Sequence, residues 1–253
     1  LFAEERQQEI LRQAREAGRV DVVRLADELS VTSETIRRDL TTLERAGVIR
    51  RVHGGAIPVE RLGFEPALAA RDAVMTQEKE RIAKAALAEL PEDGAIIIDA
   101  GSTTERLANL LPMERELTVV VNAPPLAVSL ATRPNLTVIM LGGRVRPRTL
   151  ATVDDWNLQM LSQIHVDVAF MGANGLSVEC GFTTPDPAEA SVKRAMIASA
   201  RRAVVLADHT KVGNDYFARF ATVGDIDTLV TDTGLHSDLV DDFEQIGLRV
   251  VSA

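Results

Sequence analysis

Apolar positions along the first 57 residues recur in three short helical runs. Ile10, Leu11, Ala14 and Ala17 fall at helical spacing and Gly18 ends the run, which predicts a helix over residues 4–17. Asp21 precedes a second run that reaches Leu29, with the chemistry of an N-cap and with Val20 and Leu25 placed as a hydrophobic staple. Ser30-Val31-Thr32 makes a turn into a third run, from about Ser33 to Ala46, where Ile36, Leu40 and Leu43 share one face. Gly47 closes that helix, Val48–Val52 has strand composition, and His53-Gly54-Gly55 turns the chain back into Ala56-Ile57. Residues 1–57 therefore predict a helix-turn-helix followed by a β wing.

The pattern then changes. Pro58, Gly63 and Pro66 interrupt any period, so residues 58–76 are expected to be a connector. Glu78–Leu90 is amphipathic, with Ile82, Ala85, Ala86 and Leu90 on its inner side. From there strand-like runs (95–99, 117–121, 136–141, 168–171, 203–207 and 228–231) alternate with helical ones (104–111, 126–131, 188–199 and 238–246). Buried β-branched runs alternating with helices predict an α/β domain over residues 77–253, built on a parallel, doubly wound sheet.

Charge gives the first segment a chemistry. The chain carries a net charge of −9, which argues against a polyanion as partner, but the first 57 residues balance at ten arginines against ten acids. On the third helix the face opposite Ile36, Leu40 and Leu43 carries Glu34, Arg38, Thr41, Thr42 and Arg45, with Arg37 on its flank. Arginine and short hydroxyls suit guanine edges and phosphates. The candidate DNA contacts are Ser33, Thr35, Arg37, Arg38, Thr41, Thr42 and Arg45 on that helix and Arg51, His53 and Gly54 in the wing. The competing reading is a solvated surface whose arginines pair with Glu34, Asp39 and Glu44.

In the larger domain the informative residues follow the strands, since ligands of open α/β sheets sit at the strands' carboxyl ends. The candidates there are Asp99, Gly101, Ser102, Thr103 and Thr104 after the first strand, Asn122 after the second, and Gly142, Gly143 and Arg144 after the third. Gly172, Asn174 and Gly175 follow the fourth and Asp208 and Lys211 the fifth, while Lys193 lies on the helix between them. Hydroxyls and backbone N–H groups at the helix start near Ser102 suit a phosphate, and Asp99 is expected to accept hydrogen bonds from sugar hydroxyls. Lys211, Lys193, Arg144 and Arg148 are the cations that an anionic ligand would need. Lys193 reads equally well as part of a solvated helix face.

Composition closes other routes. No apolar run approaches the roughly 18 to 20 residues of a bilayer span, and the charged start Phe2–Glu9 does not read as a signal peptide. The single cysteine, Cys180, allows no internal disulfide and fits a reducing cytoplasm. The histidines show no metal-ligand spacing, so neither a metal nor a cofactor is expected, and no strand leads into a Gly-x-Gly-x-x-Gly fingerprint. An isomerase acting on a sugar phosphate, or an acyl-CoA-type transferase, with a DNA-binding head attached is the rival from another class, and Asp99, Asp186 and Glu189 are the carboxylates that an isomerase's base would require.

The motifs also match a family. Thr35–Leu40, Leu43–Gly47 and Arg51–Ala56 resemble the N-terminal signature of DeoR-family repressors. Asp99–Thr103, Gly142-Gly143, Met171–Gly175 and Ala207–Gly213 resemble the sensor motifs of the same family, so the resemblance covers almost the whole chain. It implies a winged helix-turn-helix joined to a sensor similar in fold to ribose-5-phosphate isomerase and the CoA-transferases. It further implies repression of sugar uptake and catabolism genes, and a sugar phosphate as effector held by Asp99, Ser102, Thr103, Asn174 and Lys211. Arg146–Thr149 and Thr183–Pro187 resemble the fructose-operon branch, which makes fructose 1-phosphate the first candidate, although Val153-Asp154-Asp155 stands where many relatives carry glycine. The partners implied are operator DNA and further copies of the chain in a homodimer or homotetramer.

Overall fold

The computed structural model describes residues 3–45, 48–58 and 68–253, apart from the side chains of Glu4, Arg15, Glu16 and Ala70. The chain divides into two compact units, Leu1–Pro66 and Ala67–Ala253. In the first unit α1 (Ala3–Ala17), β1 (Val20–Asp21), α2 (Val22–Glu28) and α3 (Ser33–Arg45) precede the hairpin of β2 (Ile49–Val52) and β3 (Gly55–Pro58). The strands form a small antiparallel sheet in the order β1-β3-β2. Asp21 caps α2 by accepting from the N–H groups of Val23 at 2.8 Å and Arg24 at 3.1 Å, and Val20 and Leu25 are both buried in the unit's core. Thr32 Oγ1 accepts from Thr35 N at 3.2 Å at the start of α3. Ile10, Ala14, Leu25, Ile36, Leu40 and Ile49 form the core, so the apolar positions of all three helices converge as their period requires. Ala46 and Gly47, the expected end of α3, lie outside the described residues.

The second unit opens with α4 (Leu68–Asp72) and α5 (Thr76–Ala86), then alternates through β4 (Gly94–Ile98), α6 (Ser102–Asn109), β5 (Leu117–Val121), α7 (Pro124–Leu130) and β6 (Leu136–Met140). A short hairpin of β7 (Arg144–Val145) and β8 (Thr152–Val153) leads to α8 (Asp155–Leu161) and β9 (Val166–Gly172). After β10 (Gly175–Ser177) and β11 (Gly181–Thr184) come α9 (Pro187–Ala198), β12 (Ala200–Leu206), β13 (Ala218–Ala221), β14 (Thr228–Thr231), α10 (Ser237–Gln245) and β15 (Arg249–Ser252). Seven strands make one parallel sheet in the order β6-β5-β4-β9-β12-β14-β15, and β10, β11 and β13 form a separate antiparallel one.

Strand alternation sends side chains to two cores. Ile96 and Ile98 of β4 pack with Ile82, Leu107 and Leu126 of α5, α6 and α7, whereas Ile97 packs with Leu161, Met196 and Phe243 of α8, α9 and α10. Helices thus cover both faces, as the alternation of strand and helix predicts. Strand order reverses between β4 and β9, and that switch point opens a crevice at the strands' carboxyl ends.

The connector expected over residues 58–76 is shorter than the sequence suggests. Pro58 is the last residue of β3, residues 68–72 are helical and α5 starts at Thr76. Proline at a strand end and a five-residue helix leave little periodic signal.

Candidate nucleic-acid interface and anion site

On α3 the buried positions are Ile36, Asp39, Leu40 and Leu43, which turns Glu34, Arg37, Arg38, Thr42 and Arg45 outward, with Ser33, Thr35 and Thr41 half-buried. Asp39 does not pair with the arginines of this face. It faces α1, where its oxygens accept from Arg6 Nε at 2.6 Å and Gln7 Nε2 at 3.0 Å. Glu44 accepts from the Arg51 N–H at 2.8 Å and so fastens β2 to α3. Of the α3 arginines, Arg37 is the one that pairs with an acid of the expected set among the described residues, Glu34 at 3.7 Å, and that pair is exposed. Arg38 and Arg45 make no ion pair among the described residues. The Thr41 and Thr42 hydroxyls donate to the carbonyls of Arg37 and Arg38, and Arg51 Nη1 reaches Thr41 Oγ1 at 3.3 Å. Arg51, His53 and Gly54 are exposed, and Arg19 holds the His53 carbonyl at 2.7 Å. The result is an exposed face of cations and hydroxyls on one helix beside a hairpin.

At the switch point of the larger sheet, a cleft is lined by Gly101–Thr104, Gly172, Ala173, Leu206–Asp208 and Lys211, together with Arg71 and Lys79. Gly101, Ser102, Thr103, Thr104, Gly172, Asp208 and Lys211 are thus brought together from the sequence-derived set. Gly101–Thr104 bring the start of α6 to the cleft, where the first N–H groups of a helix lack partners within it and the helix end adds partial positive charge. Asp208 accepts from the Thr210 N–H and hydroxyl, turning the backbone so that Lys211 returns to the cleft. Burial alone would raise its carboxyl, but Lys211, Thr210 and Lys79 outweigh burial and hold it below the ordinary range.

Arg71 and Lys79 did not stand out in the sequence. Lys79 is 3% exposed and donates to the carbonyls of Arg71 and Val74. Burial, with repulsion from Lys211, Arg106 and Arg71 against the attraction of Asp208, pushes its ammonium down to about 8. A signal did exist, because Lys79 shares the inner stripe of α5 with Ile82, Ala83 and Ala86, where a lysine is out of place unless it meets a partner. Arg71 carried none, since it lies in the stretch expected to be a connector.

The remaining candidates sit elsewhere or are already engaged. Asp99, expected to receive sugar hydroxyls, is 1% exposed and spent on protein groups: Lys193 Nζ, the Gly172 N–H at 3.0 Å and Asn122 Nδ2 at 3.4 Å. The carboxylate at the end of β4 faces Lys193 on α9, and a buried ion requires such a counterion. Lys193 is accordingly no solvated residue; it is 5% exposed, also donates to the Gly172 carbonyl at 2.9 Å and lies 5.3 Å from the Phe220 ring centre. Asn122 is buried, accepting from the Ala100 N–H at 2.8 Å. Asn174 accepts from the Thr184 hydroxyl at 3.1 Å. Gly143 and Gly175 have packing reasons for lacking a side chain, as a Cβ would stand 2.3 Å from the Val153 carbonyl and 2.2 Å from that of Asn214. Gly142, whose carbonyl accepts from Asn157, lies outside the cleft lining, and Arg144 is exposed and pairs with Asp154 at 2.8 Å.

A second and larger hollow, with a volume of about 710 Å³ against about 20 Å³ for the cleft, opens at the amino ends of the strands near Glu116, Asn135, His165 and Asp167. Size and chemistry disagree here. The cleft is the better candidate, because strand carboxyl ends, helix N–H groups and three cations converge only on it of the two. Among the described residues no group of histidine, cysteine and acidic side chains has the geometry of a metal site, and no helix is long and apolar enough to cross a membrane.

Residues 6–61 match the DeoR-like helix-turn-helix domain, and residues 74–233 match the DeoR C terminal sensor domain. An HTH-type transcriptional regulator GlpR of Haloferax volcanii is 36% identical over 251 residues, covering 99% of this chain and 98% of that one. The HTH-type transcriptional regulator FruR of Bacillus subtilis, described as uncharacterized, is 35% identical over 92% of each chain. A glycerol-3-phosphate regulon repressor of Escherichia coli is 30% identical over 88% of each. Among solved structures, ribose 5 phosphate isomerase A from Neisseria gonorrhoeae is similar over 56% of this chain and 54% of its own, with TM-score 0.40 and 17% identity.

Proposed function

The chain belongs to the DeoR family of helix-turn-helix transcriptional regulators, and from that premise we propose that it represses genes of sugar uptake and catabolism and leaves its operator when a phosphorylated sugar binds. The observation that carries the effector half of this reading is the convergence of Arg71, Lys79 and Lys211 on the amino end of α6. Cations that repel one another around open N–H groups favour a compact dianion over a neutral sugar. In the other half, α3 enters the major groove, Arg37 and Arg38 divide base reading and phosphate contact, and Arg51, His53 and Gly54 follow the backbone. A homodimer or homotetramer in the cytoplasm would set two heads on paired half-sites.

Fructose 1-phosphate is the first effector candidate, supported by the fructose-branch motifs and by the relative named FruR. Glycerol 3-phosphate is the second, supported by the name of the Escherichia coli relative. The isomerase reading has less behind it. Asp99 is paired with Lys193, and Asp186 caps α9 and pairs with Arg146 at 3.2 Å. Burial would raise the Glu189 carboxyl, but Lys193, Thr149 and Arg146 hold it low, the reverse of what a general base at neutral pH needs.

The test is binding to DNA from upstream of the protein's own gene, at fixed salt, with each of the two phosphates added. Release of specific DNA by a phosphate that is not consumed supports the repressor reading. Turnover of the phosphate without specific DNA binding would replace it with the isomerase.

A further inference from the structure

The helix α4 opens at Leu68, two residues beyond the end of the N-terminal unit at Pro66, and it is built into the wall of the anion cleft. Its Arg71 lines the cleft with a guanidinium nitrogen 3.8 Å from where a Cβ on Gly101 would stand. The two helices that frame the cleft hold α4 in place. From α5, Lys79 takes the carbonyls of Arg71 and Val74. From α6, Arg106 pairs with Asp72 while also donating to the carbonyl of Ser102, the first residue of that helix, at 2.7 Å. Between α4 and α5, Met75 adopts a φ of 57°, a left-handed conformation that a side chain disfavours. The turn is therefore kept against its own preference by the contacts around it.

We propose that α4 is the reporting element of the effector site: Arg71 donates to the bound phosphate, and α4, docked by that bond, passes occupancy to the chain that leads to the DNA-binding unit. The inference rests on the phosphate-effector reading above. Its physical basis is linkage. Burial first, and then repulsion from Lys211, Arg106 and Arg71, lowers the Lys79 ammonium, and a dianion among the cleft cations Arg71, Lys79 and Lys211 offsets the share that Arg71 contributes only when α4 is docked. A ligand that binds the docked arrangement better must raise its population, and the same free energy is returned in the ligand's affinity.

The test uses the full chain with glycerol 3-phosphate, fructose 1-phosphate and inorganic phosphate as probes. Calorimetry reads binding, and amide hydrogen exchange over residues 68–74 reads docking. In the wild type a bound probe should slow exchange in that stretch about tenfold. Arg71→Ala should weaken binding about tenfold, the loss of one charge-assisted hydrogen bond. Asp72→Ala, which removes the tie to α6 but no cleft group, should by the same linkage weaken binding by up to about tenfold while losing most of the slowing and of the operator release. Binding with unchanged exchange in the wild type, or unchanged affinity in Arg71→Ala, overturns the inference alone, and thermal unfolding of both variants separates either result from misfolding. No binding of any probe overturns the phosphate reading and the inference with it.

Discussion

Arg37, Arg38 and Arg45 stand exposed on α3, whereas Lys79 and Lys193 of the larger unit are 3% and 5% exposed and lie against carbonyls and carboxylates of the same chain. The difference is one of timing in the free energy. An exposed arginine keeps its hydration, so it can wait for a polyanion and release that polyanion's counterions on binding. A buried ammonium loses its hydration on folding and must already hold its compensation. DNA affinity should therefore respond strongly to salt and weakly to single substitutions in the sensor core, while sensor stability should do the reverse.

The strongest way to break that comparison is at the buried pair. Lys193→Met removes one partner and leaves the Asp99 carboxylate 1% exposed beside the Gly172 N–H. Urea unfolding should show a loss of about 3–5 kcal/mol, and adding Asp99→Asn should recover a large part of it. A loss below about 1 kcal/mol in Lys193→Met would mean that water replaces the ammonium and that the pair is not a dry one.

How far each region was legible in the sequence follows from the same contrast. The outward face of α3 is set by one helix's own period, so Ile36, Leu40 and Leu43 identify Arg38, Thr42 and Arg45 with no knowledge of anything else. The cleft is assembled from residues as far apart as Arg71 and Lys211. Strand-end loops still located most of it, because a parallel sheet fixes which ends gather. They could not tell ligand contacts from internal ones. Asp99 and Asn122 sit where a contact would, yet each is consumed by a neighbour that only the packing of α9 and β5 supplies. The β10-β11-β13 sheet and β15 went unseen as well, being short strands without a long alternating pattern.

On the exposed side, Arg37→Ala and Arg38→Ala should weaken operator binding by unequal amounts, about 1–3 kcal/mol for the one that reads a base. The one that holds a phosphate should instead lower the salt slope by about one with little effect on sequence preference. Fluorescence anisotropy at several salt concentrations separates the two. Unchanged affinity in both would remove α3 from the groove.

Smaller, and on the buried side again, is the pH response of Lys79. Its ammonium is held near 8 against an ordinary value of 10.5. A phosphate ester remains a dianion above about pH 6, so raising the pH through 8 removes charge from the site and none from the ligand. Effector affinity measured by calorimetry should fall by up to about tenfold between roughly pH 7 and pH 9, and Lys79→Met should flatten that slope. Stability moves the other way. Between pH 8 and 10.5 the unfolded chain binds the proton that the folded chain has lost, so this residue's contribution to stability rises with pH across that window. A pH-independent affinity would place Lys79 too far from the ligand to matter.

The smallest effects should come from α2, where a cap and an ion pair sit one turn apart. Asp21→Ala removes the acceptor of two helix N–H groups and should cost about 1 kcal/mol in thermal unfolding. Arg24 and Glu28 approach to 2.7 Å, but their side chains are 77% and 37% exposed, and holding them together costs side-chain entropy that water and salt leave poorly repaid. Arg24→Ala should change stability by less than about 0.5 kcal/mol, and less still at high salt. A larger loss would show that an exposed arginine of the head is held by its fold, and the distinction between arginines that wait for DNA and lysines that are consumed within the chain would have to be redrawn residue by residue.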